Sequence, residues 1–156
     1  MFFLAFVTFL TFFSNPIFAQ EKPQDLEIKI YLIANDDNGK LGKKIGCDDS
    51  LVPITKTIKN TATPLKSAIE ELLTIPQDYD KNPELHNYWK GDNLKVASVV
   101  IKNGVATIKI TGDLSVAGIC DEPRIKSQIE ETAKQFSEVK TVKVFVNGVT
   151  LAKAVR

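Results

Sequence analysis

The sequence predicts an α+β domain, a two-layer sandwich in which two helices pack on one face of a mixed sheet containing a central β-hairpin. Three observations carry this prediction. Residues 94–111 (LKVASVVIKNGVATIKIT) hold two strand-like runs meeting at Asn103-Gly104. That dipeptide suits a two-residue type I′ turn, whose central positions both need positive φ. Residues 64–73 and 123–136 place apolar side chains at helical spacing. Residues 27–34, 51–58 and 141–146 alternate as strands do. Strand, strand, helix, hairpin, helix, strand is an order that two packed layers accommodate.

The hairpin comes first because its turn fixes a register. With Asn103 and Gly104 as the loop, Lys102 faces Val105, Ile101 faces Ala106, Val99 faces Ile108 and Ala97 faces Ile110. One face then reads Ala97, Val99, Ile101, Ala106, Ile108, Ile110, wholly apolar. The other carries Ser98, Lys102, Thr107, Lys109 and Thr111, with Val96, Val100 and Val105 among them. A slip of one residue would scramble that division. A one-sided ribbon must bury its apolar face, and the helices are the expected cover.

In chain order, residues 1–19 read as a secretory signal peptide. Residues 2–13 are almost purely apolar, Ser14-Asn15-Pro16 breaks the run, and Ala19 suits the cut. The run is shorter than an ordinary transmembrane helix, and no second long apolar segment exists, so the mature form is expected to lack a stable membrane span. Residues 20–26 are a polar linker. The strand at 27–34 puts Ile28, Ile30 and Leu32 on one face. Residues 35–50 read as loop, and Pro53, which cannot donate to a ladder, assigns the run 51–58 to a sheet edge. Thr63 is the expected N-cap of the first helix, Pro64 its first residue and Pro76 its stop. Residues 77–93 are a long polar stretch, and 112–120 a turn-rich connection. Asp121 is the expected cap of the second helix, on which Ile125, Ile129, Ala133 and Phe136 share a face. Val142, Val144 and Val146 alternate inward on the last strand, and Asn147-Gly148 turns it into a short return at 149–151.

Twenty Lys and Arg against nineteen Asp and Glu give a net charge of +1. The basic residues are scattered along the chain, which argues against nucleic acid as a partner. In an exported protein the even pair Cys47 and Cys120, without CxxC spacing, is most simply one disulfide, the alternative being two buried thiols. A catalytic thiol is disfavoured because only one His exists to activate it.

Three stretches resemble the GerMN domain family, named for a spore-germination and sporulation protein. They are LVPITKTIKNTATPLKSAIEELL, VASVVIKNGVATIKI and IEETAKQFSEVKTVKVFVNGVTL. The first is similar to the family's "LVP" segment, Thr-rich link and Pro-started helix. The second is similar to its "G-V-A-T" hairpin. The third resembles its helix ending in "QF" followed by an alternating valine strand. They occur in the family's order and assign residues 27–152 to a GerMN-like domain. The resemblance implies an extracytoplasmic module, built like the ring-building domains of secretion and sporulation complexes, without defined catalytic residues.

Motifs for chemistry are few. Asp36-Asp37-Asn38-Gly39 is better read as a turn than a calcium loop, since Ala34 and Ile45 stand where an EF-hand needs acids. A Cys47–Cys120 bridge draws Asp48, Asp49, Asp121 and Glu122 together, and such carboxylates repel unless something offsets them. Helix capping by Asp121, with the others solvated, is preferred over a cation site. The stretch 77–93 holds the only His and Trp, His86 and Trp89, with Tyr79 and Tyr88. Exposed aromatics there would suit sugar or protein contact. The preferred reading starts a short helix at Asn82-Pro83 and packs Leu85, Tyr88 and Trp89 onto the core. No Ser–His elbow, phosphate loop or zinc pattern is present.

The expected function is therefore an exported, non-catalytic protein-interaction module of the cell envelope, with no cofactor and no metal. Its partner is expected to be an envelope protein or a second copy. The alternative is a carbohydrate- or peptidoglycan-binding domain using the Trp89 stretch, with cell-wall glycan as ligand. Val96, Val100 and Val105 on the hairpin's outer face, with Tyr88 and Trp89, are the candidate contact residues. Two outcomes follow for the natively exported protein. Its intact mass under non-reducing conditions begins near Gln20 and is lower than the reduced mass by one pair of hydrogens, whereas two alkylatable thiols would exclude the bridge.

Overall fold

The structure, a computed structural model, describes residues 25–156. The expected signal peptide (1–19) and most of the linker (20–26) lie outside the described residues. The elements are β1 (Leu26–Ala34), β2 (Lys43–Lys44), β3 (Ser50–Ile58), α1 (Pro64–Thr74), β4 (Leu85–His86), β5 (Gly91–Lys102), β6 (Val105–Leu114), α2 (Asp121–Lys134), β7 (Thr141–Val146), β8 (Val149–Thr150) and α3 (Leu151–Ala154). The α+β class is the one the sequence predicts. The strands are divided between two sheets: an antiparallel one ordered β2-β3-β1-β4, and a mixed one ordered β5-β6-β7-β8 in which β6 and β7 run parallel. Helices α1 and α2 each touch strands of both sheets.

The division has a local cause. On one side β1 pairs with β3 along its whole length. On the other, β4 reaches only Ile33 and Ala34. Over residues 29–31 that edge is occupied by side chains of α2 and the residue after it. Gln128 Nε2 donates to Tyr31 O (2.9 Å), and Tyr31 N donates to Thr132 Oγ1 (3.4 Å). Gln135 accepts from Lys29 N and donates to Lys29 O, both at 2.8 Å. Residues 128, 132 and 135 lie on one helical stripe, and 29 and 31 point their backbone groups to one side of a strand. The helix thus stands in for a strand, and the hairpin has no edge of β1 to join.

The hairpin register holds at the turn: Lys102 pairs with Val105, Ile101 with Ala106, and Val99 with Ile108. Asn103 and Gly104 have φ of 52° and 79°, as the type I′ turn requires. Further along, a bulge between Val96 and Ser98 corrects the expectation. Val96, not Ala97, faces Ile110, and Ala97 is exposed. The inner row Ala106, Ile108 and Ile110 is fully buried, together with Ile125, Ile129 and Ala133 of α2 and Ala68, Ile69 and Leu72 of α1.

Other boundaries shift by a few residues. Leu26 already belongs to β1, and the expected loop 35–50 contains β2 and a 3-10 turn at Gly46–Asp48. β6 continues past Gly112 to Leu114. Thr63 precedes α1 but makes no side-chain cap, and Thr61 Oγ1 instead accepts from Thr63 N. Asp121 is the first residue of α2, not its cap, and its carboxylate accepts from Ala117 N at 2.7 Å. Phe136 lies beyond the helix and is half-buried. Asn82-Pro83 forms a turn rather than a helix, closed by Leu85 N donating to Asn82 O, and leads into β4. Pro53 sits on the side of β3 that β2, pairing only with Ser50 and Leu51, leaves open. The return after Asn147-Gly148 is two residues of β8, after which Leu151 starts α3.

Ile108 is fully buried and Lys109 is exposed. Replacing Ile108 by Asp is expected to cost more than about 4 kcal/mol by burying an uncompensated charge, and Lys109→Asp less than about 0.5 kcal/mol. Urea melts of the two variants check this, and equal midpoints would contradict the register.

Candidate functional site

The aromatic stretch turns inward, as the preferred sequence reading has it. Trp89 is 1% exposed, its Nε1 donating to Ile125 O at 2.9 Å, while Tyr79 and Tyr88 are also buried. Asn87, fully buried, donates to Leu72 O (2.9 Å) and Ile75 O (2.8 Å), and its Oδ1 accepts from Trp89 N and Gln128 Nε2. Gln128 Oε1 accepts from Tyr88 N at 2.8 Å. One buried amide pair therefore ties α1, α2, β1 and residues 87–89 together. Trp89 and Tyr88 offer no flat aromatic surface to a sugar, so the glycan alternative loses the residues it rested on. His86 Nδ1 lies 3.0 Å from Asp78 Oδ1 across a small bridge.

At the start of α2 the structure brings Cys47 and Cys120 to disulfide geometry, with Cα atoms 5.9 Å apart. Sequence reasoning gathered four carboxylates here and missed what offsets them. Asp49, fully buried, accepts from Arg124 Nε at 2.6 Å and Nη2 at 3.1 Å, and Arg124 Nη1 lies 3.6 Å from Asp121 Oδ1. These hydrogen bonds to Asp49 hold the guanidinium pKa above its ordinary value. Arg124 also stacks over the Tyr88 ring, 4.7 Å from its centroid. Asp48 turns outward to Lys44. The signal available in the sequence was Arg124 three residues after Asp121 on one helical turn. The turn reading of 36–39 holds: Asp37 accepts from Gly39 N, Leu41 N and Ser50 Oγ. Burial opposes ionisation of Asp37, but those hydrogen bonds outweigh it and hold its pKa below the usual value.

The hairpin valines separate. Val96 is half-buried against the core, drawn inward by the bulge, and leaves the outer face to which the sequence assigned it. Val105 is half-buried, and Val100 is 57% exposed opposite Thr107.

Among strand edges, most are blunted. The edge of β1 is filled by α2, β3 carries Pro53, and β5 is interrupted by two bulges. The edge of β7 carries none of these. β8 pairs only with Phe145 and Val146, leaving residues 141–144 with no strand on that side among the described residues. Thr141 N donates to Gly104 O on the β6 side. Strand alternation therefore directs the backbone groups of Val142 and Val144 to the open side. There a groove of about 430 Å³ runs between β7, α2 and the start of α3, with Val142, Val144 and Leu151 at its base and Glu122, Lys126 and Glu130 along its wall. Among the described residues, no group of three or more His, Cys, Asp or Glu is placed to hold a metal, and no helix is long and apolar enough to cross a membrane.

These features define a small α+β module whose conspicuous site is an open strand edge, not a cluster of reactive side chains. The chain belongs to the Germane family, described as sporulation and spore germination, which matches residues 29–152. Among solved structures it is similar to the first GerMN domain of the sporulation protein GerM from Bacillus subtilis, at 20% identity and a TM-score of 0.57 over 80% of this chain and 85% of that one. It is also similar to the tandem GerMN domains of that protein, at 22% identity and a TM-score of 0.59, covering 88% of this chain but 44% of that one. These likenesses establish the fold. No curated protein matches the chain.

The Asp49–Arg124 pair generates a prediction. Asp49→Ala strands a guanidinium that is mostly shielded from water, and is expected to destabilise by about 3–5 kcal/mol in thermal melts, whereas Asp48→Ala changes stability by less than about 0.5 kcal/mol. Similar losses for both variants would contradict the assigned pairing.

Proposed function

We propose that this protein is an exported, non-catalytic interaction module of the cell envelope, which docks a polypeptide through the open edge of β7. The observation that carries this reading is the four-residue gap beside β7, where α3 leads the chain away before β8 has covered the strand. An unpaired edge presents backbone donors and acceptors without partners, and an extended segment of another protein, or of a second copy, supplies those partners. The groove beneath receives alternate side chains of such a segment against Val142 and Val144. Family membership and the apolar residues 2–13 support the envelope location and the non-catalytic role.

Val142→Pro removes an N–H that faces the open side while sparing the ladder to β6. The variant is expected to keep its melting temperature within a few degrees and to lose, by about tenfold or more, the partner that the wild type retains from the native envelope fraction or by self-association. A folded variant with undiminished capture would overturn the proposed edge.

A further inference from the structure

The outer face of the second sheet has a chemical order that the register makes visible. Its cross-strand rows read Lys102, Val105, Thr141, then Val100, Thr107, Lys143, then Ser98, Lys109, Phe145, Thr150, and finally Lys95, Thr111. Every row holds one lysine and at least one hydroxyl. No carboxylate lies among them; Asp92 and Asp113 follow only beyond the second bulge. Lys95, Lys102, Lys109 and Lys143 are all exposed, and none is in an ion pair among the described residues. The exposure of these lysines and of Val100 shows that no described helix covers them. Successive rows lie about 7 Å apart, so the lysines span about 20 Å of one surface.

Apolar groups share this surface. Val100 is 57% exposed and Phe145 half-buried, each with lysine stems nearby in its own or an adjacent row. A soluble polyanion would be met by the ammonium and hydroxyl groups alone. An anionic bilayer presents phosphates above acyl chains and so uses both components, with the lysine stems lying along apolar surface and their heads at the phosphates.

We propose that the outer face of the β5-β6-β7 sheet seats the domain on an anionic phospholipid surface. Lys143 and Phe145 also line the groove beside β7, but the contact uses their side chains and not the backbone edge at Val142 and Val144, so a change confined to that edge separates it from strand docking.

The test is co-sedimentation of the full chain with phosphatidylcholine vesicles containing about 30% phosphatidylglycerol, against pure phosphatidylcholine vesicles, which measure any contribution of the apolar residues 2–13. The wild type is expected to partition about tenfold more strongly onto the anionic vesicles at about 0.1 M salt and to lose that preference near 1 M. Lys109→Glu with Lys143→Glu abolishes the preference. Lys59→Glu with Lys81→Glu, equal in net charge but elsewhere on the surface, retains most of it. Val100→Ser weakens binding at unchanged charge. Equal partition onto both vesicles, or equal losses in the two lysine pairs, overturns the proposal. So does full competition by soluble polyphosphate together with indifference to Val100→Ser, which makes the face a polyanion site that needs no bilayer. Val142→Pro leaves vesicle binding unchanged while removing partner capture, so failure of either reading is recognised separately.

Discussion

The backbone of β1 between Lys29 and Tyr31 has a strand on one side only, and much of the architecture follows from how its other side is satisfied. Backbone groups left unpaired cost free energy that grows with their burial, and those of Tyr31 are part-buried while those of Lys29 stand nearer the solvent. Here they are met by Gln128, Thr132 and Gln135. Holding that stripe against β1 fixes the rotation of α2 about its axis. Ile125, Ile129 and Ala133 are then committed to the core, and Glu122, Lys126 and Glu130 to the groove beside β7. The same Gln128 reaches Asn87 and the backbone of Tyr88, which draws the aromatic stretch inward. The wedge between the sheets, the burial of Trp89 and the shape of the groove are consequences of one satisfied edge.

The clearest parts of the sequence were those governed by local rules. Asn103-Gly104 specified its turn, and the first pairs outward from it were correct because nothing intervenes within that distance. The bulge at Ala97 was not legible. It depends on the curvature the sheet adopts against the helices, and both Val96 and Ala97 are small apolar residues that fit either face. The second helix was visible through its apolar period, but its polar stripe carried no assignment. Amide and hydroxyl side chains at positions 128, 132 and 135, on the flank of an amphipathic helix, carry the same periodicity as a core stripe. Only the fold shows that they meet a backbone. Likewise, two cysteines sufficed to suggest a bridge, whereas the role of Arg124 required Asp49, which lies 75 residues away.

The handling of edges bears on what the module does. A domain with two small sheets has several edges, each a template for unwanted pairing. Side-chain capping closes β1, proline blunts β3 and bulges distort β5. With three edges treated in three ways, the unmodified one along β7 stands apart. It is also short, four residues backed by a helix, a length that fits one defined segment better than an indefinite stack. Lys143 on its outer face adds a charge against sheet-on-sheet association without obstructing the edge itself.

Charge gives the last step. Along the chain Lys95, Lys102, Lys109 and Lys143 are separated by six to thirty-three residues of mixed composition, and the near-neutral total conceals them. That scatter argued against nucleic acid as a partner. Folding gathers them: the hairpin brings three of them into adjacent strands at spacings of seven, and the parallel crossover through α2 delivers the fourth beside Thr107. Meanwhile the acids are consumed elsewhere, with Asp49 and Asp121 held by Arg124, and Glu130 and Glu131 by Lys134. The separation of charge is therefore a property of topology rather than composition. A near-neutral chain acquires a one-signed face because period-two alternation sorts lysine outward on three neighbouring strands.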